Sequence, residues 1–567
     1  MVLARPPQVT VKIGTPVEAP SRDTAKPRAG SAHWVATAVA ATFVAGVSLY
    51  RFGAVREARY PGHADPAFYY GVAQNIRGGR GATTNYIWEF LAGQPRLPRY
   101  AFDHWLPLAP VVMSWALHAS NTLAAALRVN VVASIVLAIG TYLLARQLGR
   151  TPWVAPASAA VVSVLPVVTM FSVQSEATIY FGTFAVLAMA AAVAARSRRW
   201  MWPITGALAA LANLSRNEGL VLFVVVAVSA MLSSPRGRRW WCVGGAAVGY
   251  VLTMLPLYLA SLHHLGTLMP PASSSFPYVT SYEGLYAVHV PHSLHAFLGG
   301  SVVDFVHLRA DRVVAQVTTV DAAMLPVDLA LLVFTAGACL IGLGAEQRFG
   351  PAGRWWRAPI QQQLWWRAGA SPWFVPVGFA AAEFLFYPVL TPIVSTGGTL
   401  SRGMIAIAPV LVVGGLTQLG RLRVPVWLIA GVVGILVVAP LLSTATNTRG
   451  QIANNNSIGT SAAAFRAVFA HEQQCLGRPI VVMTRNPWEL TQATGVRTVM
   501  IPYGSLEDVL AVARRYGVTD LLMDGRRQAE LGPAIEQAAR CVGPFVREQF
   551  GQTVYYRIRG VGAGARC

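Results

Sequence analysis

Thr178-Ile-Tyr-Phe-Gly-Thr-Phe-Ala-Val-Leu-Ala-Met-Ala-Ala-Ala-Val-Ala-Ala195 carries no charge and ends in Arg196-Ser-Arg198-Arg199. An apolar run of that length crosses a bilayer core as a helix, and clustered arginines mark its cytoplasmic flank. Comparable runs lie near 33–50, 123–145, 153–173, 203–214, 219–232, 241–262, 326–344, 373–394, 403–419 and 425–443. Over the 567 residues, 54% are hydrophobic and 12% charged, with a mean hydropathy of +0.47. Soluble domains carry about 25% charged residues. The composition therefore excludes a plain soluble enzyme, a disordered chain and a disulfide scaffold, and points to a polytopic α-helical membrane protein.

The 45 basic and 24 acidic residues leave a net charge of +21, almost all of it arginine, since Lys12 and Lys26 are the only lysines. Such a charge on a soluble protein would suggest nucleic acid. Here the arginines stand beside apolar runs, where anionic membrane lipids attract them, so no nucleic-acid partner is expected. One set of joints holds Arg146 and Arg150; Arg196, Arg198 and Arg199; Arg236, Arg238 and Arg239; Arg348, Arg354, Arg357 and Arg367; and Arg421 and Arg423. The joints around 174–177, 213–218 and 395–402 have at most one arginine each. That alternation predicts a cytoplasmic N-terminus, and the arginine bias with abundant alanine, valine and glycine fits a GC-rich bacterial genome, hence a bacterial plasma membrane. The stretch 203–232 is too long for one crossing, because thirty helical residues span about 45 Å. Two short helices meeting at Asn213-Leu-Ser-Arg216-Asn-Glu218-Gly219 satisfy both arginine-rich flanks, giving about eleven helices.

The organisation predicted is a basic cytoplasmic tail over 1–32, a transmembrane unit over 33–445 and an extracytoplasmic α/β domain over 446–567. Two long loops, 53–110 and 263–325, fall on the extracytoplasmic side. In the last domain Arg478-Pro-Ile-Val-Val-Met reads as a strand and Ser505–Tyr516 as a helix stopped by Gly517. Asp520–Asp524 reads as a strand, 526–540 as a helix and Thr553–Ile558 as a final strand. No glycine-rich phosphate loop supports nucleotide binding. Cys475 and Cys541 either pair as a disulfide or are buried thiols.

The first loop opens with Pro61-Gly-His-Ala-Asp65-Pro-Ala-Phe-Tyr-Tyr-Gly, in which Asp65 is placed to cap a helix that Pro66 begins. Phe68, Tyr69, Val72, Ala73 and Ile76 recur at helical spacing, so this helix is expected to lie in the membrane interface. Further on come Glu89 and the run Arg99-Tyr-Ala-Phe-Asp103-His104-Trp105-Leu-Pro-Leu. Acidic groups near lipid are costly and tend to be functional, and Glu176 adds one between two apolar helices. The plain alternatives are a helix cap for Asp65 and headgroup contacts for His263, His264 and Arg402. Arg216 has the alternative of an internal pair with Glu218. The run Asp304, His307, Arg309, Asp311 and Arg312 reads as a solvated face.

This order of motifs resembles the GT-C membrane glycosyltransferases, in the group of the protein mannosyltransferases and the bacterial aminoarabinose transferase. The Asp-Pro-Ala-x-Tyr-Tyr opening, Gly79-Arg-Gly81 and the Asp103-His-Trp-Leu-Pro-Leu stretch are the first-loop elements of the likeness. Arg216-Asn-Glu218-Gly219 is similar to the Arg-Pro-Glu-Gly between short helices of that group, with Asn217 replacing proline. His264-Leu-Gly-Thr-Leu-Met-Pro270 resembles its Gly-x-x-x-Pro segment. The resemblance implies a polyprenyl-phosphate sugar donor, an acceptor on a cell-envelope glycan, lipid or protein, and inverting transfer with Asp65 as general base. Arg216 and Arg402 would grip the lipid phosphate. Glu89, Asp103, His104 and Glu176 are candidates for acceptor or metal contact, and Glu218 and His264 for support behind them. A divalent cation is a candidate cofactor, although no spacing fixes its ligands. The competing class is a lipid or polysaccharide-precursor flippase. That class predicts inverted repeats and mid-membrane charges, whereas no hydropathy pattern repeats between the halves and the acids cluster in the outer joints.

Overall fold

The computed structural model describes residues 30–91, 93, 96–149, 151–323, 371–390, 399–421, 425–477, 479–523, 531–540, 545–550 and 553–558. The tail before residue 30, the apolar run 326–344 and the glycine-hydroxyl stretch 395–398 lie outside the described residues. So do Cys541 and the side chain of Cys475.

Ten of the apolar runs fold as helices: Gly30–Ala54, Leu123–Leu148, the broken pair Val154–Val164 and Pro166–Ser172, Thr178–Ala195, Trp202–Asn213, Glu218–Ser233, Arg239–Leu265, Phe374–Leu390, Thr399–Leu419 and Val426–Asn456. Among the described residues six helices are long and apolar enough to cross a membrane singly, and the broken pair makes a seventh. The pair bends by 59° at Leu165-Pro166. Pro166 cannot donate, so carbonyls of the preceding turn lose their helical partners. Arg51 of the first helix answers this break, donating Nη2 to the Ser163 carbonyl at 2.8 Å and to Thr169 Oγ1 at 2.6 Å.

The stretch 203–232 forms the expected hairpin of two short helices. Its turn is held tightly, for a Cβ on Gly219 would fall 2.1 Å from the Asn213 backbone nitrogen. Helices pack closely through small residues, as they do where lipid removes the hydrophobic drive. A Cβ on Gly206 would lie 1.9 Å from the Ala246 carbonyl oxygen, and one on Gly249 1.9 Å from that of Pro203.

Several elements depart from the sequence expectation. The last apolar run does not stop near 443; its helix continues to Asn456, and a further helix follows over Ile458–Leu476. A helix over Leu108–Ala119 begins at the end of the first loop and continues past it, and the second loop holds one over Val302–Ala323. Arg309 in that second helix is not solvated but 6% exposed, its guanidinium 4.2 Å from the centre of the Phe305 ring.

Among the described residues eight short strands complete the fold: β1 Thr83–Thr84, β2 Tyr86–Ile87, β3 Arg99–Tyr100, β4 Val481–Thr484, β5 Arg497–Met500, β6 Asp520–Leu522, β7 Phe545–Phe550 and β8 Thr553–Ile558. β1 pairs with β3 inside the first loop. The others form one sheet in the order β2-β5-β4-β6-β8-β7, parallel from β2 to β6 and antiparallel beyond. The helix Leu506–Tyr516 begins with a capping box between Ser505 and Asp508 and stops at Gly517, whose φ of 64° is left-handed. Sequence reading missed β5, β7 and the helix Pro487–Thr494. It also missed that β2, some 400 residues before β5, pairs with it through Tyr86 opposite Thr498 and Ile87 opposite Val499. The C-terminal sheet therefore includes a strand from the first loop.

Candidate active site

The helix that Pro66 opens runs from Asp65 to Arg77, and eight of its residues are buried, Asp65 through Tyr70 together with Val72 and Ala73. It is enclosed by protein on the face that carries these residues. The C-terminal sheet region covers it, with Gln74 accepting a hydrogen bond from Gln492 at 3.1 Å. Trp88, stacked on Trp105 at 5.4 Å, also meets Trp488 of the sheet region at 6.0 Å.

Asp65 makes no capping bond. The residue in the cap position is Ala64, with φ 52° and ψ −112°, and Gly62 before it has φ 121°. A left-handed alanine is strained, and such strain persists only where packing over-determines it. Two residues earlier the same turn runs against the last turn of Val426–Asn456, where a Cβ on Gly62 would lie 3.0 Å from Asn455 Oδ1. Freed from capping, the Asp65 carboxylate meets Arg402 Nη2 at 2.6 Å. Arg402 also presents Nε to Glu176 Oε1 at 3.2 Å, and the Thr178 hydroxyl donates to that same oxygen at 3.0 Å. Burial pushes the Glu176 carboxyl above the usual carboxylate range, against the pull of Arg402 and with a push from Asp65; Arg216 also acts on it. Asp65, Glu176, Arg216 and Arg402 thus form one electrostatic neighbourhood assembled from four separate segments.

Arg216 holds Glu218 Oε1 through Nη2 at 2.6 Å and Nε at 3.0 Å, the internal pair that the sequence left open. The Tyr387 hydroxyl donates to the same Glu218 oxygen. Sequence reading did not nominate Tyr387 or the fully buried Glu383, one turn earlier on that helix. The available signal was a lone acid inside the apolar run 373–394.

Glu89, Asp103 and His104 gather in a second place. Arg99 pairs with Asp103 and stands 3.8 Å from Glu89 Oε1, while His104 Nδ1 is 3.4 Å from Glu89 Oε1. Burial raises the Asp103 carboxyl, although Arg99 opposes the shift. Arg99 was not nominated, and its i,i+4 spacing to Asp103 was the signal for it. His264 is exposed and joins neither cluster; its ring stacks on Tyr100 at 4.5 Å.

Comparison with known proteins bears on the fold. Residues 108–262 match the family model of the dolichyl-phosphate-mannose-protein mannosyltransferases. No curated protein matches the chain. The fold is similar to that of ArnT from Cupriavidus metallidurans, solved bound to undecaprenyl phosphate. The TM-score is 0.53 at 13% identity, over 94% of this chain and 100% of that one. It is also similar to the oligosaccharyltransferase AglB from Archaeoglobus fulgidus, solved with an inhibitory peptide and a dolichol-phosphate. There the TM-score is 0.50 at 11% identity, over 93% of this chain and 74% of that one. A structure of the Archaeoglobus fulgidus oligosaccharyltransferase with Zn and sulfate gives a TM-score of 0.51 at 12% identity, over 91% and 72%.

Proposed function

We propose that this chain, a multi-pass membrane glycosyltransferase of the GT-C type, moves a sugar from a polyprenyl-phosphate donor to an acceptor hydroxyl. Transfer takes place on the extracytoplasmic face of a bacterial plasma membrane, with about eleven crossings and the N-terminus in the cytoplasm. The observation that carries the reading is Asp65: it begins a helix without capping it and turns its carboxylate to Arg402 and the Glu176 neighbourhood.

In this reading Asp65 accepts the proton of the acceptor hydroxyl as that oxygen forms its bond to the anomeric carbon. The bond from that carbon to the phosphate oxygen breaks, the lipid phosphate leaves with the electron pair, and the configuration inverts. Catalysis of this kind needs a base within hydrogen-bond reach and cations where the leaving charge grows. Arg402 and Arg216 supply those cations. Before the donor arrives Arg402 is shared by two carboxylates; an arriving phosphate competes for it and releases Asp65 to take a proton. Substrate binding thereby arms the base.

Glu218 and Tyr387 hold Arg216 in place. Glu89 and Asp103, enclosed around Arg99, fix the shape of the loop. Among the described residues no three His, Cys, Asp or Glu side chains gather as a metal-ligand set. The positive charge between Asp65 and Glu176 belongs to a guanidinium, so this site does not fit a divalent cation.

The test is a transfer assay on the purified protein with radiolabelled polyprenyl-phosphate sugars, with and without EDTA. Consumption of one donor, undiminished by EDTA and abolished in Asp65→Asn, is the expected result. If no donor is consumed while labelled lipid crosses the bilayer of liposomes, the flippase reading replaces this one.

A further inference from the structure

We propose that a cavity in the sheet region binds a neutral saccharide that serves as the acceptor of the transfer. This rests on the reading above and deepens it by naming the acceptor class. The cavity has a volume of about 420 Å³, within the range of about 300–1,000 Å³ usual for small-molecule sites. It lies outside the carboxyl ends of β4 and β6, where Thr484 closes one strand and Met523 follows the other.

The sheet order makes that position distinctive. The connection from β4 leads to β5 on one side, while the chain leaving β6 leads to β7 and β8 on the other. Neighbouring parallel strands whose connections part in opposite directions leave a crevice between their carboxyl ends, the place where open α/β sheets take ligands.

The lining selects the ligand. Asn486 and Thr484 offer neutral hydrogen-bonding groups, and Phe465 and Met523 offer apolar faces. The two ionisable groups, His63 and Glu489, satisfy each other at 2.7 Å. Among the described residues no arginine lines the cavity, in a chain with 45 basic residues. An anion such as a phosphate or nucleotide needs cationic partners there, and among the described lining residues it would find only His63, already paired with Glu489. A sugar ring has the matching character, with hydroxyls at its edge for amide and hydroxyl groups and C–H faces for an aromatic or thioether surface.

The location ties the cavity to the chemistry. His63 stands in its wall two residues before Asp65, on the strained turn that aims the carboxylate. A glycan seated on the sheet therefore lies against the segment that carries the base.

The experiment uses the full chain in detergent or nanodiscs, with arabinan, mannan, galactan and glucan oligosaccharides as probes and inorganic phosphate as the anionic control. Saturation-transfer NMR and calorimetry read binding, and the transfer assay reads the acceptor KM. Two variants address the cavity: Ala493→Trp, which fills it from the helix Pro487–Thr494, and Asn486→Ala, which removes a polar partner. At least one oligosaccharide is expected to bind wild type and Asp65→Asn alike. Ala493→Trp should weaken that binding at least tenfold and raise the acceptor KM, with the KM for the lipid donor unchanged. Asn486→Ala should act in the same direction by a few-fold. The proposal is overturned if no oligosaccharide binds, if phosphate binds in its place, or if both variants keep wild-type acceptor KM and binding. Saccharide binding without donor consumption would instead remove the transferase reading and leave the cavity assignment standing.

Discussion

Asp65, Glu176 and Arg402 form one cluster of acids around an arginine, and Glu89, Asp103 and Arg99 form another. Both set two carboxylates on one guanidinium. In the first, Glu176 is only 3% exposed, but the Arg402 side chain is 27% exposed and Asp65 11%, and the three residues come from three distant segments. In the second, Arg99 is 1% exposed, Glu89 0% and Asp103 2%, and all three lie within fifteen residues of one loop. A closed cluster can hold a loop and cannot meet a substrate. An open one, at the junction of helix ends, can exchange its internal partner for an incoming anion. Composition alone does not separate the two; access does.

The contrast is broken most directly by neutralising one acid in each cluster. Asp65→Asn should lower the transfer rate by about a hundredfold to ten-thousandfold, the usual range for a lost general base, with the melting temperature nearly kept. Asp103→Ala should do the reverse, costing about 3–5 kcal/mol of stability because Arg99 loses its close partner while buried. Thermal unfolding of the purified protein reads that loss, and the fraction that stays folded should retain its turnover per molecule. If Asp103→Ala folds normally and loses turnover, the closed cluster belongs to the chemistry after all.

Asp520 of β6 extends the comparison to a buried acid that, among the described residues, has no arginine within ion-pair distance; burial pushes its carboxyl up to about 6 from an ordinary 3.8. The native state then holds a proton that the unfolded chain has lost, so stability falls as pH rises from about 3.8 to about 6 and stays reduced above. The rise is worth about 3 kcal/mol, and Asp520→Asn should recover much of it at pH 7.5 and nothing at pH 3.5 in thermal unfolding of the sheet region.

The smallest effect is expected at His63, half exposed, where the hydrogen bond to Glu489 raises the imidazole above its ordinary 6.5. The pair is intact below that value and weakens as pH climbs through the raised one. His63→Ala should cost less than about 1 kcal/mol, as exposed pairs do, and only on the acid side. A pH series of melting temperatures for the variant and wild type reads both the size and the direction.

Much of this molecule was legible before its structure. The apolar runs fixed ten helices because, in a bilayer, every backbone donor and acceptor must be satisfied within its own segment. Periodicity and charge therefore report directly on helices, and the capped helix Leu506–Tyr516 follows the same local logic of a serine start and a glycine stop. Asp65, Glu176, Arg216, Glu218 and Arg402 could be picked out because charged residues at helix ends are few. Their partners could not. Whether Asp65 caps its helix or faces Arg402 depends on a strained turn pressed against Asn455, and whether Glu89 is a ligand or a strut depends on how deeply it is enclosed. The pairing of Tyr86–Ile87 with Thr498–Val499 left no trace either, since two residues carry no readable periodicity. Local physics set the elements; contacts between residues hundreds of positions apart decided which acids meet which arginines, and which of them a substrate can reach.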